Sequence, residues 1–393
     1  LGKWRLKRAS PTNPTGEGVN QRDRERDLAK RWRARIISLT KGHASAFPFL
    51  AEAMSGDNAE MASHDLFGVI RHSTLAGMCK ILEQMIALRG DIIPWTTAKV
   101  MDLFEAMRGT DAGPDTPLRY HYVLKKLGKL LGNPDDLTSE VLIRKRDAIR
   151  DTLCKEIVRT DRRAVAPTRK VAAALERATE AAPTEPLRWL ASAFRFALGA
   201  SARMSDCQHA APKEFLLTES TAELRAWQTK VSGLIGNRRP MPLIAPLHTF
   251  SGIYWWLVFQ KGIKDMDRDT FLSNRDFLVP ELGEGATSFK RTPMQNQQML
   301  RHLRRLAAVG GAEEKEASRL TLPSLRVFMA EQAYQAGVPR DLRRYIGRWA
   351  HESVADTYTR DHRSVIGKIW DQVLGAEESL GNEQKLVPQD LND

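Results

Sequence analysis

Four short segments and one tyrosine in the second half of the chain carry residue types that handle phosphate. They are Gly199-Ala-Ser-Ala-Arg203-Met-Ser-Asp206, Trp227-Gln-Thr-Lys230, Leu322-Pro-Ser-Leu-Arg326 and Ile346-Gly-Arg-Trp349, with Tyr358 nine residues beyond the tryptophan. An arginine offers a planar fork of donors that matches the non-bridging oxygens of a phosphate, so Arg203 and Arg326 would suit a clamp on a crowded phosphorus. A lysine such as Lys230 can hand a proton to a leaving oxygen. The Trp349 indole has one N–H donor and no means of shuttling protons, so its part would be positional. A tyrosine hydroxyl, with an ordinary pKa near 10, is a weak nucleophile at neutral pH, but the phosphotyrosine it forms stores the energy of the bond it has broken. Because that bond energy is kept, such a set needs neither ATP nor a metal, and the positioning and charge stabilisation on which phosphoryl transfer depends would come from the arginines.

Each residue also has an ordinary alternative. Most arginines are solvated or ion-paired, Lys230 competes with Lys213, Lys261 and Lys264, and Tyr358 competes with Tyr334 and Tyr345. Trp349 alone would read as a packing aromatic. Other chemistries leave no trace: there is no His-Glu-x-x-His, no phosphate loop ending Gly-Lys-Ser/Thr and no Gly-x-Ser-x-Gly. Cys207 with His209, and His351, are too isolated to hold zinc, and the three cysteines form no C-x-x-C pair.

The elements that must position these residues read as mostly helical. After a Pro- and Gly-containing stretch over 9–21, helical spacing starts at Arg24 and runs to Leu39. Four helices with short turns follow between Ser73 and about Arg159, with Thr96 and Thr116 near starts and Gly109, Gly113 and Gly132 near ends. Residues 160–186, rich in Arg, Ala, Pro and Thr, read as a linker with a short helix at Lys170–Glu180. Beyond Pro186 come further helices, at Leu187–Leu198, Leu257–Lys261, Pro293–Val309, Pro323–Ala336, Pro339–Ile346, Ser353–Tyr358 and Ser364–Leu374. Ala222–Val231 and Pro240–Ile244 have the short, turn-bounded character of strands. A helical apolar stripe of Val365, Ile366, Ile369, Trp370 and Val373 is expected to dock on a neighbouring copy, with packing on its own domain as the alternative.

The chain has 393 residues, too many for a single core, and 42% of them are hydrophobic. Its longest apolar run, Gly252 to Phe259, is far below the ~20 residues of a membrane span, so no membrane association is expected. The net charge of +12 favours a polyanionic partner, and most of it is concentrated at the start: residues 1–42 hold twelve Lys and Arg against four Asp and Glu. Further basic groups along the expected helices are candidates for contact with DNA phosphates: Lys125, Lys126 and Lys129, Lys290 and Arg291, Arg301, Arg304 and Arg305, and Arg340, Arg343 and Arg344, with a solvated face as the alternative.

In this order and spacing, 23 residues from Arg326 to Trp349 and 9 more to Tyr358, the segments resemble those of the tyrosine recombinase (phage-integrase-like) family, and the Gly-Arg-Trp form resembles recombinases of eukaryotic mobile elements. The resemblance extends from about residue 66 to 374. It implies a mainly α chain: a helical, SAM-like core-binding domain followed by a mixed α+β catalytic domain with a small antiparallel sheet. The corresponding division is a basic arm with a short helix at 1–65, the core-binding domain at 66–160, a linker at 161–185, the catalytic domain at 186–375 and an acidic tail at 376–393. It also implies catalysis by Arg203, Lys230, Arg326, Trp349 and Tyr358, no cofactor, double-stranded DNA clamped between the two domains, a homo-tetramer on DNA, and an intracellular, DNA-associated location. One position departs from the family pattern: the residue three before Arg326, usually histidine, is Pro323, which has no titratable group. This opens two alternatives, a DNA-binding derivative with weakened or lost catalysis, and an enzyme resembling type IB topoisomerases that relaxes DNA without joining partners.

Overall fold

The computed structural model describes residues 20–68, 70–154, 164–227, 241–346 and 365–375. It is mainly helical with a small antiparallel sheet, and it divides into two compact units, Arg22–Asp161 and a second from Arg162 onward. Among the described residues no helix is long and apolar enough to cross a membrane.

The first unit is all helix: α1 (Gln21–Thr40), α2 (Pro48–Met54), α3 (Ala59–Asp65), α4 (His72–Leu88), α5 (Thr97–Ala106), α6 (Thr116–Leu131) and α7 (Glu140–Cys154). Periodicity explains α6, where Tyr120, Val123, Leu124, Leu127 and Leu131 recur at threes and fours and are all buried. Thr96 caps α5 by accepting a hydrogen bond from the Lys99 N–H at 3.3 Å. The core extends further towards the start of the chain than an arm ending at residue 65 would allow. Ile36, Phe47 and Leu50 are buried in the same cluster as Leu82, Leu103 and Leu124, because Trp32 and Ile36 turn one side of an otherwise polar α1 inward. Cys79 of α4 is fully buried, and burial, with Glu83 adding to it, pushes its thiol up to about 11. None of the cysteines is in a disulfide.

The second unit contains α8 (Arg169–Ala181), α9 (Glu185–Gly199), α10 (Met204–Cys207), β1 (Leu216–Leu217), β2 (Thr221–Ala226), β3 (Met241–Pro246), α11 (Trp255–Met266), α12 (Thr270–Ser273), β4 (Pro280–Leu282), β5 (Phe289–Pro293), α13 (Asn296–Val309), α14 (Glu314–Arg319), α15 (Leu322–Gln335), α16 (Arg340–Ile346) and α17 (365–375). Strands β1, β2 and β3 form an antiparallel sheet in that order, with Ala226 opposite Met241, while β4 and β5 form a separate antiparallel pair.

Two features of this unit differ from the sequence expectation. Helix α8 matches the short helix expected at Lys170–Glu180, but it is no linker: Val171, Ala172, Leu175 and Ala178 are buried in the unit's core, its small alanines let it pack closely, and α9 is a principal neighbour. The apolar stripe of α17 is covered by its own unit. Ile369, Trp370 and Val373 are buried there, and the Trp370 ring lies 5.9 Å from His248 and 6.4 Å from Phe250. Arg169 ties this helix down, donating to the Val373 carbonyl at 3.3 Å and to Gln332 Oε1 of α15 at 2.5 Å.

A fully buried ion pair joins α8 and α9. Arg195 Nε of α9 donates to Glu176 Oε1 of α8 at 2.8 Å, and its guanidinium lies 5.3 Å from the rings of both Phe250 and Trp255. Glu176 Oε2 accepts from the Phe250 and Ser251 backbone N–H groups and from the Ser251 hydroxyl, each at 2.8 Å, which pins the loop after β3. Desolvation lowers the Arg195 pKa, and its Nη1 has no hydrogen-bond partner.

Candidate active site

Arg203 lies one turn beyond the end of α9. That end is closed by two reciprocal hydrogen bonds, Ala202 N–H to the Ala197 carbonyl at 3.0 Å and Ser201 N–H to Leu198 at 3.2 Å, around a left-handed residue. The left-handed residue is Ser201, at φ 47°. Helices α13 and α15 close with the same pair of bonds but place glycine at that point, Gly311 and Gly337. A residue with a Cβ pays about 1–2 kcal/mol for this conformation, and glycine pays essentially none.

Past this turn, Arg203 is the N-cap of α10, its carbonyl accepting from the N–H groups of Asp206 and Cys207 at 2.8 and 3.0 Å. Its side chain is 28% exposed and sits 3.5 Å from Asp206 Oδ2, whose own side chain is buried. Met204 and Cys207 bury the apolar side of α10, so the short helix is anchored while the guanidinium keeps access to solvent. Gln208 extends the anchoring. Its amide donates to the Val279 and Met294 carbonyls and accepts from Val279 N–H, joining the end of α10 to the β4–β5 pair.

Arg326 lies in the second turn of α15 and is only 8% exposed. Thr321 and Ser324 form a reciprocal capping box at the start of that helix, and Pro323 occupies its first turn, where a missing N–H costs nothing. The departure from the histidine pattern is therefore structurally comfortable: Pro323 initiates a helix but brings no polar side chain to the site. Leu325, Phe328 and Met329 bury the adjoining faces of α15 in the core.

The two arginine-bearing elements meet through Ser201. Its hydroxyl, 1% exposed, donates to the Arg326 backbone carbonyl at 2.8 Å. Sequence spacing offered no sign of this bond; the one available signal was a serine where a helix closes beside an arginine.

The lysine-bearing connection is anchored at its near end. Trp227, which follows β2, donates its backbone N–H to the His209 carbonyl at 2.8 Å and its indole N–H to the Asp276 carbonyl at 2.7 Å, and its ring meets the His209 ring edge-on at 4.7 Å. The segment from Arg203 to His209 and the start of the β2–β3 connection thus belong to one packed arrangement, reinforced by the bridge between Ala210 and Ala226. Lys230, Trp349 and Tyr358 lie outside the described residues. So do the expected strand end at 228–231 and the expected helix at Ser353–Tyr358. The described chain flanks the Trp349 and Tyr358 segment with α16 on one side and α17 on the other.

The basic candidates fall into different environments. Lys125 and Lys126 on α6 are half-buried, Lys126 lying 5.9 Å from the Tyr122 ring, and Lys129 is exposed. Lys290 and Arg291 on β5 each face a carboxylate, Glu281 at 3.3 Å and Asp269 at 3.1 Å. Hydrogen bonds, from Gln298 foremost and then from Thr292 and Lys290, hold the Glu281 carboxyl below its ordinary value against the effect of burial. On α16, Arg340 is exposed and Arg343 lies 4.9 Å over the Tyr334 ring, while the Arg344 side chain is outside the described set. Arg304, in the basic run of α13, is occupied structurally, donating to the Leu320 carbonyl at 2.9 Å.

The elements that carry Arg203 and Arg326 are thus joined to one another, with the Arg203 side chain partly exposed and paired with Asp206 and Arg326 nearly buried. No protein-family model matches the chain, and no curated protein matches it.

Proposed function

We propose that the chain is a DNA strand-cutting and rejoining enzyme of the tyrosine recombinase type. The observation that supports this most directly is the junction of the Arg203 and Arg326 segments, made by the Ser201 hydroxyl on the Arg326 carbonyl. This buried polar contact joins two segments far apart in sequence, each carrying one of the two arginines, which supports reading them as one site.

In this reading Tyr358 Oη attacks the scissile phosphorus, the bond to the 5′-oxygen breaks, and a 3′-phosphotyrosine forms. Arg203 and Arg326 neutralise the non-bridging oxygens as charge builds on them. Lys230 protonates the departing 5′-oxygen, and Trp349 steadies the phosphate with its indole N–H. The reverse attack by a 5′-hydroxyl releases the tyrosine, so no bond energy is lost. Joining two duplexes takes four chains, two per site. The helical first unit carries the remaining duplex contacts through exposed lysines such as Lys129 and the basic face of α1, with an affinity that falls steeply with salt.

A nicked suicide duplex tests this. The expected result is a covalent protein–DNA adduct that survives denaturation and disappears in Tyr358→Phe. Tight DNA binding without any adduct would overturn the reading and leave the second one, a DNA-binding derivative of the same fold. That alternative draws on one observation, Pro323 in the first turn of α15 with no side-chain group to act on the phosphate or the nucleophile.

A further inference from the structure

We infer that Ser201 is a positioning residue for the two arginines, a role that rests on the proposed strand-cutting reaction. The turn that ends α9 needs a left-handed residue, and glycine fills the same place where α13 and α15 end. Ser201 takes that conformation at φ 47° despite its Cβ. What it adds over glycine is a hydroxyl, and the hydroxyl is spent on one contact, the Arg326 carbonyl at 2.8 Å, in a place 1% exposed to solvent. A carbonyl has two lone pairs, so the Arg326 oxygen can accept this bond while serving in its own helix.

The geometry makes the contact a brace. Ser201 is two residues before Arg203, and its partner is the backbone of Arg326 itself, so the bond fixes the two Cα frames from which the guanidinium groups extend. A two-armed clamp on a phosphorus works only while its arms hold their separation, since a displacement of about 1 Å can cost on the order of a hundredfold in rate. Neither Ser201 nor its hydroxyl has to touch DNA for this to matter.

Ser201→Gly separates the brace from the fold. It relieves the backbone conformation and removes the hydroxyl, so thermal unfolding should occur at or above the wild-type temperature. Adduct formation on the nicked duplex at saturating DNA should slow about tenfold or more, with the Kd for the same duplex changed less than twofold. Ser201→Ala, which loses the hydroxyl but keeps the Cβ, should slow the reaction by a similar factor and also unfold at a lower temperature. A merely structural serine would give the opposite order, with the rate following stability. Wild-type rate in Ser201→Gly at saturating DNA would overturn the inference, as would a loss confined to Kd. If the wild-type chain itself forms no adduct, the strand-cutting reading fails and this role falls with it. If the wild type forms adduct and Ser201→Gly matches it, only the role of Ser201 fails.

Discussion

Buried polar groups divide unevenly between the two units. In the first, the buried polar side chains among the described residues are Thr40, Ser63 and His121, none of them a formal charge, and the ion pairs lie outside, as Arg35 with Glu83 and Arg144 with Glu140. The second buries Glu176, Arg195, Asp206, Arg275 and Arg326 together with Gln208, Gln332 and several hydroxyls. Removing an ion from water costs several kcal/mol, so each of these groups has to be met by partners of defined geometry. Backbone groups supply several of these partners, the Phe250 and Ser251 N–H groups for Glu176 and the Leu272 and Leu278 carbonyls for Arg275, while Asp206 meets the Arg203 side chain. The first unit is organised by apolar burial, which is directionless. The second adds a set of directional contacts, of which the Ser201 hydroxyl on the Arg326 carbonyl and the Arg203–Asp206 pair fall on the segments that carry the two arginines.

The largest break in that comparison is Glu176→Ala. It leaves Arg195 charged and buried without its carboxylate and orphans the N–H groups of Phe250 and Ser251, so the second unit should lose about 4 kcal/mol. Replacing both partners, Glu176→Leu with Arg195→Met, should recover most of that loss. The unfolding of each unit has to be followed separately, because a chain with two cores need not melt in one step. A double variant as unstable as the single one would show that the charges themselves, and not their mutual compensation, hold the unit together.

Acidification probes the neutral side of the comparison, with a smaller effect. His121 donates from Nε2 to the Leu137 carbonyl at 2.6 Å and accepts at Nδ1 from Arg146 at 3.1 Å, and burial, with Arg146 and Lys125 adding to it, lowers its pKa below 6.5. The unfolded chain therefore takes up the proton first. The contribution of His121 is fully present above about pH 6.5 and is lost as the pH falls through that value towards the lower folded one. His64 in the same unit shifts in the same direction, led by burial. Urea titrations of the first unit between pH 7 and 5 should show falling stability, with a shallower slope in His121→Gln. An unchanged slope would remove His121 from the account.

The smallest expected effect is at the surface. Arg35 and Glu83 are 2.8 Å apart, but their side chains are 53% and 38% exposed. Arg35→Ala should change stability by less than about 0.5 kcal/mol, since solvent screens the pair and ordering two long side chains offsets its attraction. A loss comparable with that of Glu176→Ala would erase the distinction between the units.

The same contrast decides how much could be read from the sequence. Helices α4 to α7 announce themselves by apolar spacing and by caps such as Thr96, because periodic burial is what forms them. Helix α8 was legible as a short helix at Lys170–Glu180, but the Arg, Pro and Thr content around it read as linker and concealed that its alanines pack it against α9 in the core. The β4–β5 pair was missed for a related reason: Pro280 and the Lys290-Arg291-Thr292-Pro293 run suppress strand signals, and the pairing depends on partners such as Glu281 and Gln208. At the candidate site, residue order and spacing picked out Arg203 and Arg326, but the contact between their elements is a side chain meeting a backbone 125 residues away. No local pattern encodes such a bond. The covering of α17 was likewise open in the sequence, since an apolar stripe states that it will be buried without stating by what.

Cysteine placement has a consequence for anyone wishing to attach a reporter. With its thiol at about 11, Cys79 holds only about one part in ten thousand as thiolate at pH 7, and it is sealed inside the first core besides. Cys207 is enclosed under α10 in the second. Cys154, the last residue of α7, is half-buried and the most accessible of the three. An alkylating dye applied briefly to the native chain would therefore discriminate kinetically among chemically identical groups, marking α7 alone with no cysteine having to be engineered away.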